Sequence, residues 1–307
     1  LLRVLDIHNC NFPPAAGNGN CSPAHRAFPR LTHLSLKEVG IVEDVLEKMV
    51  SNSPRIEAMV LDTNSGHRHL RLSPLPSLRY LLVSARCLQR SELQHVVLEG
   101  APNLEKLLLE QEFYAPSLRI IGPTKLLNTL GYLGTVIPIL HLGTSTFNGI
   151  VPVSLVEQFP RVKILALMMP EPNLNVVIGY LKCFPCLHKL HIKFGYSWLH
   201  LKGAEIYDKI APIECLDRSL RTVVLRPYQG LVSHVEFANF FIERAMVLEL
   251  MKFGDCGGWT STTEWAQQQR MCLNIDNRAS KSAQFCFARD LPPEFFMGQG
   301  FSQEVPF

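Results

Sequence analysis

Apolar and polar positions along this chain follow one recurring order. A nine-residue block, made of an apolar or small residue, Pro, any residue and then Leu-x-x-Leu-x-Leu, appears as Phe28–Leu36, Ser53–Leu61, Leu75–Val83 and Ala101–Leu109. It is decayed at Ala115–Pro123 and returns as Phe159–Leu167 and Phe184–Ile192. The opening Leu1–Ile7 carries the same leucine pattern, and copies without proline follow at Asp217–Leu225 and Arg244–Lys252. First positions Leu31, Ile56, Leu78 and Leu104 are spaced by 25, 22 and 26 residues, and Val162 and Leu187 again by 25. The 44 residues from Leu118 to Val162 leave room for a cryptic unit near Ile137, Leu140 and Leu142.

A period of roughly twenty to twenty-nine residues with this pattern is that of a leucine-rich repeat. Each block predicts a turn and then a short strand whose alternate side chains point to one side. Proline before the first leucine ends the preceding element where no ladder bond has begun. The predicted fold is an α/β leucine-rich-repeat solenoid, a horseshoe with a parallel concave sheet and outer helices. Outer helices are expected where Ile41, Val42, Val45, Leu46, Met49 and Val50 oppose Glu43, Asp44, Glu47 and Lys48, and where Leu174, Val177, Ile178 and Leu181 form a stripe. A third is expected through Leu93, Val96 and Val97, capped by Ser91 and stopped by Gly100. Residues 12–27 read as a long surface loop.

Beyond about residue 200 the strict repeat fades. Ser233 and Glu236 suggest a capping box that opens an aromatic helix with Phe237, Phe240 and Phe241. A strand is expected around Val247–Lys252. A helix from Trp265 to Met271, capped within Thr260–Thr263, and an alternating edge strand at Ala283–Phe287 complete the pattern.

Composition changes this picture in a few places. Of 45 leucines only Leu273 and Leu291 lie beyond position 250, as a repeat array followed by something divergent would give. A chain 47% hydrophobic and 19% charged, with mean hydropathy +0.10, is not disordered. Its net charge of +3 argues against an electrostatic nucleic-acid binder. Leu126–Val156 has no Asp, Glu, Lys or Arg, yet Asn128, Gly131, Gly134, Pro138, Gly143, Asn148, Gly149 and Pro152 cut it into strand-length pieces, which reads as buried β-structure and not a membrane span. Nine scattered cysteines without framework spacing favour reduced thiols in an intracellular compartment, cytoplasm or nucleus. Cys183 and Cys186 form a CxxC without a second ligand pair, so core packing is expected there. Asn20-Cys21-Ser22 matches a glycosylation sequon, but nothing else argues for secretion. The chain opens inside a strand pattern at Leu1 with neither Met nor signal peptide, and we expect an N-terminal part to precede it.

The segments CLDRSLRTVVL (215–225), VEFANFFIERAMVLELMKF (235–253) and NRASKSAQFCF (277–287) resemble the FBD domain of plant F-box/LRR/FBD proteins. KLLNTLGYLG (125–134) and CFPCLHKLHI (183–192) are similar to the repeat region of that family. The resemblance implies a leucine-rich-repeat region over 1–200, an FBD-like α/β extension over 201–290 and a tail over 291–307. In such proteins an N-terminal F-box docks on the SKP-type adaptor of a cullin-RING ubiquitin ligase, and the repeats are taken to recruit the target. No F-box pattern precedes Leu1, so adaptor and cullin binding is expected only if one lies upstream.

Partner recognition is expected on the concave side of the strands. The middle column there is Asp6, Ser35, Val60, Leu82, Leu108, Ala166, His191 and Val224. Its flanks include His33, Lys37, Asp62, Tyr80, Lys106, Glu110, Met168, Lys189, Lys193 and Arg226. Val60, Leu82, Leu108 and Ala166 make an apolar stretch with Tyr80, Lys106, Met168, Lys189 and His191 beside it, a candidate binding patch. The alternative is that loop 12–27 or the C-terminal tail covers this column.

Catalysis has little support. GxSxG, HExxH, Walker A, GxGxxG and kinase patterns are missing from the sequence. His188 and His191, three apart on a strand, point to opposite faces, and His67 and His69 lack a carboxylate or Cys at ligand spacing, so a surface loop is expected there. We expect no enzyme, cofactor or metal, no membrane or nucleic-acid partner, and a non-catalytic module that recognises a protein target for a ubiquitin ligase. The alternative is an F-box-less repeat scaffold outside any ligase.

Overall fold

The computed structural model describes residues 2–12, 28–72, 74–85, 93–111, 117–122, 124–134, 139–142, 145–148, 151–154, 158–195, 212–254 and 263–287. It divides into two units, Leu1–Glu157 and Gln158–Phe307.

In chain order the first unit contains β1 (Val4–Asn11), β2 (His33–Gly40), α1 (Glu43–Ser51), β3 (Ala58–Asp62), β4 (His69–Leu72), β5 (Tyr80–Ala85) and β6 (His95–Glu99). It continues with β7 (Lys106–Gln111), β8 (Ser117–Ile121), β9 (Thr129–Gly134), β10 (Ile139–Leu142), β11 (Ser145–Asn148) and β12 (Val151–Ser154). Strands β1, β2, β3, β5, β7 and β9 form a parallel ladder. A second sheet is ordered β4-β6-β8-β10-β11-β12, parallel up to β10 and then antiparallel. Leucines of the repeat, among them Leu34, Leu36, Leu61, Leu81 and Leu107, are fully or almost fully buried, as are Leu70, Leu72, Val96, Leu98, Leu118 and Ile120 of the second sheet. Each such side chain stabilises the fold by about 1.5–3 kcal/mol.

The second unit contains β13 (Ile164–Met169), α2 (Leu174–Cys183), β14 (Lys189–Phe194), α3 (Glu214–Arg218), β15 (Thr222–Arg226), α4 (Val232–Arg244), β16 (Leu250–Phe253), α5 (Thr263–Cys272), a 3-10 turn at Ile275–Asn277 and β17 (Gln284–Phe287). Its five strands are parallel in chain order. Helices fill the connections, and rings fill the core. Phe253 stacks on Phe287 with centroids 4.7 Å apart, Tyr228 lies 4.6 Å from Phe253, and Phe194 meets Phe237 edge-on.

What the nine-residue block does is visible in the backbone. In the copies that carry proline the N–H of the first apolar position bonds to the carbonyl three residues back, as Leu31 to Phe28, Ile56 to Ser53, Leu78 to Leu75 and Leu187 to Phe184. Proline is therefore the second residue of a four-residue turn, where its fixed φ is the one required. Copies without proline close the same turn at Leu248 to Ala245 and Ala283 to Ser280, which adds Ser280–Phe287 as a further repeat. The next residue's carbonyl then accepts two successive N–H groups of the following copy. Thr32 takes those of Glu57 and Ala58, Glu57 those of Arg79 and Tyr80, and Arg79 those of Glu105 and Lys106. His188 and Arg221 do the same in the second unit.

The α/β leucine-rich-repeat class and the helices α1 and α2 are as read from the sequence. Four local expectations differ. Residues 95–99 form strand β6 and not a helix: Val96 and Leu98 point inward while His95 is exposed, a period of two with a β-branched pair at its centre. Ser91, the expected cap, lies outside the described residues. The decayed copy at 115–123 and the cryptic unit around Leu140 supply β8 and β10 of the second sheet, whereas the ladder strand comes from 129–134. Leu127, 23 residues after Leu104, is its first position. Helix α4 starts at Val232 after an extended Leu231 without a side-chain cap, so Ser233 lies inside the helix and Ser233 and Glu236 form no capping box. The expected loop 12–27 lies almost wholly outside the described residues.

Candidate recognition surface

Alternation along each ladder strand fixes which side chains share the open side of the sheet. In the first unit the middle row runs Asp6, Ser35, Val60, Leu82, Leu108 and Gly131 in register. In the second it runs Ala166, His191, Val224, Lys252 and Cys286. Tyr80 pairs with Lys106, and Met168 with Lys193. The nine expected site residues thus fall into two sets, Val60, Tyr80, Leu82, Lys106 and Leu108 in one unit and Ala166, Met168, Lys189 and His191 in the other.

Exposure corrects the expectation of an open apolar patch. Val60, Leu82, Leu108 and Ala166 are 4%, 9%, 2% and 0% exposed, and Tyr80 is buried with them. The expected alternative, a cover by loop 12–27 or the C-terminal tail, falls almost wholly on residues outside the described ones. Lys106, Met168, Lys189 and His191 remain half-exposed, as do Lys37, Asp62, Lys193, Arg226 and Lys252. Glu110 is on β7, and its side chain is outside the described residues.

The two rows differ in charge. Asp6, Lys37, Asp62 and Lys106 mix signs along the first unit. In the second, Lys189, Lys193, Arg226 and Lys252 surround His191, whose Nε2 is enclosed. Burial, reinforced by the charges of Lys189, Arg226 and Lys252, lowers the His191 imidazole to about 3, so it is neutral at pH 7. Burial and then Lys189 lower the Lys252 ammonium too. Lys252 was not among the expected residues, although Leu248-x-x-Met251-x-Phe253 places it in the middle row by the repeat rule itself.

Groups singled out for chemistry have structural settings. Cys183 is buried and its thiol donates to the Gly179 carbonyl at 3.2 Å, and burial pushes the thiols of Cys183 and Cys215 up to about 12. The expected surface loop at His67–His69 is corrected, because its two histidines lie in different settings. His67 is buried with Nδ1 3.3 Å from the Ile41 carbonyl, while His69 sits on β4 and stacks on His95 at 5.1 Å. A cavity of about 400 Å³ lies along the turns of the first unit, lined by Arg3, Arg30, Thr32, Arg55, Glu57 and Ser77, none of them an expected site residue. Among the described residues no helix is long and apolar enough to cross a membrane.

Repeated turns, a shared parallel ladder and inward leucines define a leucine-rich-repeat protein whose ladder side chains form its candidate surface. The chain belongs to the FBD-associated F-box/leucine-rich-repeat family. Residues 1–192 match the family model described as FBD-associated F-box protein At5g56370, LRR repeats, and residues 209–253 match the FBD model. No curated protein matches the chain. Family membership gives it a protein-interaction role. The FBD match covers α3, β15, α4 and β16, whose strands continue the ladder from β14.

Proposed function

We propose that this chain is the non-catalytic, target-recruiting part of an F-box-type ubiquitin-ligase substrate receptor, acting inside the cell in cytoplasm or nucleus. The observation that carries the reading is the joint match to the repeat region and the FBD of an F-box-associated family. The half-exposed side chains of the ladder rows, Lys106, Met168, Lys189 and His191 among them, are the groups offered to a protein target, and the buried Val60, Tyr80, Leu82, Leu108 and Ala166 hold them in register. Solenoid surfaces of this kind recognise extended partners through rows of side chains on rigid strands.

The test is co-precipitation with the full-length gene product. We expect it to capture an SKP-type adaptor and a cullin through a segment upstream of Leu1, and at least one protein whose abundance rises when the product is depleted. Capture of a protein partner without adaptor or cullin, from a product lacking any F-box, would instead establish a scaffold outside the ligase.

A further inference from the structure

We infer that the cavity along the turns of the first unit binds a phosphate monoester, with Arg3, Arg30 and Arg55 as the groups that hold its terminal oxygens. The site is separate from the ladder rows and does not depend on the recruiting role.

The repeat itself assembles the three arginines. Arg30 and Arg55 are the third residues of successive turns, each directly before a buried first position, Leu31 or Ile56. Arg3 holds the place that Thr32 and Glu57 hold in the next copies. Its carbonyl accepts the N–H groups of Thr32 and His33, as the Thr32 carbonyl accepts those of Glu57 and Ala58. Neighbouring copies lie one strand spacing apart, about 4.8 Å, so side chains at these two places line one groove. Its volume is about 400 Å³, and Thr32, Glu57 and Ser77 complete the described lining. The turn does not require arginine at its third position, where Ser77, Asn103 and Cys186 close the same bond.

Charge selects the ligand. Among the described residues Arg71, Arg79, Arg218 and Arg221 each meet a carboxylate, whereas Arg3, Arg30 and Arg55 form no ion pair. Glu57 is the carboxylate of the described lining. It also faces the next copy, where Arg79 is raised by its bond to Glu105 and further by the Glu57 charge. Three guanidinium groups against one carboxylate leave a charge of +2 around the cavity. A phosphate monoester carries about −1.5 to −2 at pH 7 on three strong acceptor oxygens. A carboxylate brings half that charge, and one guanidinium fork already fills it. The Thr32 hydroxyl donates to the Arg3 carbonyl at 3.1 Å, so Ser77 supplies the hydroxyl that can turn to the ligand. The described lining includes no aromatic ring on which a nucleic-acid base could stack.

The experiment is fluorescence anisotropy of a rhodamine-labelled Gly-Gly-phosphoserine-Gly-Gly peptide with the full chain. Wild type is expected to bind it about tenfold or more tightly than the same peptide with serine or glutamate at its centre. Arg30→Gln with Arg55→Gln should weaken binding about tenfold or more, because each loses a charged hydrogen bond. Glu57→Gln should tighten it, since a repelling charge leaves the lining. Arg161→Gln, at the same turn position in the second unit, should leave it unchanged. Far-ultraviolet circular dichroism checks that each variant is folded.

Competition by glycerol 3-phosphate distinguishes two sources of the same chemistry, and either result supports the site. Displacement as effective as that by unlabelled phosphopeptide assigns it to a free phosphorylated compound, and weaker displacement assigns it to a phosphorylated side chain. Four results would overturn the inference. Wild type could bind neither compound, or could bind the glutamate peptide as tightly as the phosphopeptide. The double arginine variant could bind unchanged, or Arg161→Gln could lose as much as it does.

Discussion

The two units are built on the same kind of parallel ladder and differ in what backs it. Both close the same turn before most of their ladder strands, Leu220 before β15 bonding instead to the Cys215 carbonyl, and pass the same pair of backbone bonds to the next copy. Yet the first, past α1, backs its ladder with a second sheet, and the second backs its ladder with helices. Connection length does not decide this, since 17 residues separate Asp62 from Tyr80 and 19 separate Met169 from Lys189. Periodicity decides it. His69-Leu70-Arg71-Leu72 alternates exposed and buried, whereas Leu174, Val177, Ile178 and Leu181 recur at helical spacing and Asn173 caps the helix by accepting from the Val176 N–H at 3.2 Å. The repeat thus specifies the layer that could meet a partner and leaves the outer layer to local sequence. The outer layer then sets the core: leucines and valines between two sheets, rings beneath helices.

The sharpest way to break this contrast is to remove a ring. Phe253 is 1% exposed between Tyr228 and Phe287, and Phe253→Ala should destabilise the fold by about 3–5 kcal/mol. Leu107→Ala in the aliphatic core should cost about 2–5 kcal/mol. Urea denaturation followed by tryptophan emission and far-ultraviolet circular dichroism measures both. A Phe253→Ala loss below about 2 kcal/mol would show that the rings do not hold the second unit together.

Acid should act on the second unit next. His234 stacks on Phe194, its Nδ1 accepts from the Gln229 N–H at 3.0 Å, and burial lowers it to about 4, beside His191 at about 3. An unfolded histidine titrates near 6.5. Above that value neither state takes a proton, so the stability is fully present. As pH falls from 6.5 toward 4 and 3, the unfolded chain binds protons that the folded one refuses, and stability is lost. At pH 5 the loss is about 2 kcal/mol for each histidine. All three tryptophans, Trp198, Trp259 and Trp265, belong to the second unit, so their emission during denaturation at pH 7 and pH 5 reads it. His191→Gln with His234→Gln should flatten the slope; an unchanged slope would place the acid sensitivity elsewhere.

The ladder was legible because its signal is redundant: Leu31, Ile56, Leu78 and Leu104 each announce the same turn and strand. Outer strands were harder. At 93–100 a four-residue spacing from Leu93 to Val97 imitates a helix, and only the pairing of His95 with His69 and Ser117 fixes it as β6. Near 118 the leucine pattern was genuine, but it marks inward positions of either sheet and cannot say which. The candidate surface was legible in its register and not in its exposure. Leu108 and Ala166 are buried while Lys189 and Lys193 are half-exposed, and a single repeat carries no record of what packs around it.

A smaller effect tests how the first unit ends its second sheet. β4 is an edge strand, and its outward N–H groups would be open to pairing with another chain. Helix α1 lies against it. Glu43 and Glu47, one turn apart, accept from the backbone N–H groups of His69 and Arg71 at 3.4 and 3.3 Å. Two carboxylates four apart on a helix therefore match two N–H groups two apart on a strand. Glu43→Ala with Glu47→Ala should cost about 1–2 kcal/mol, since each bond involves a charged acceptor near solvent. It should also raise concentration-dependent association, read by light scattering.

The smallest effect concerns a corner that the first unit repeats. Asn9, Glu38 and Thr63 each follow the last apolar position of their repeat pattern, Ile7, Leu36 and Leu61, by two residues, and each is left-handed, with φ of 49°, 55° and 53°. Asparagine tolerates that region, whereas a β-branched threonine does not. Thr63 holds it because its N–H donates to the Ser84 carbonyl at 2.8 Å and its hydroxyl donates to Asp62 at 2.8 Å. Thr63→Asn keeps the backbone bond and relieves the strained conformation, so it should stabilise the protein by about 0.5–1 kcal/mol. A higher thermal midpoint would make the corner a property of the backbone path, which the side chain only tolerates. A lower midpoint would mean that the hydroxyl bond to Asp62 outweighs the strain, and that the corner is held by the side chain.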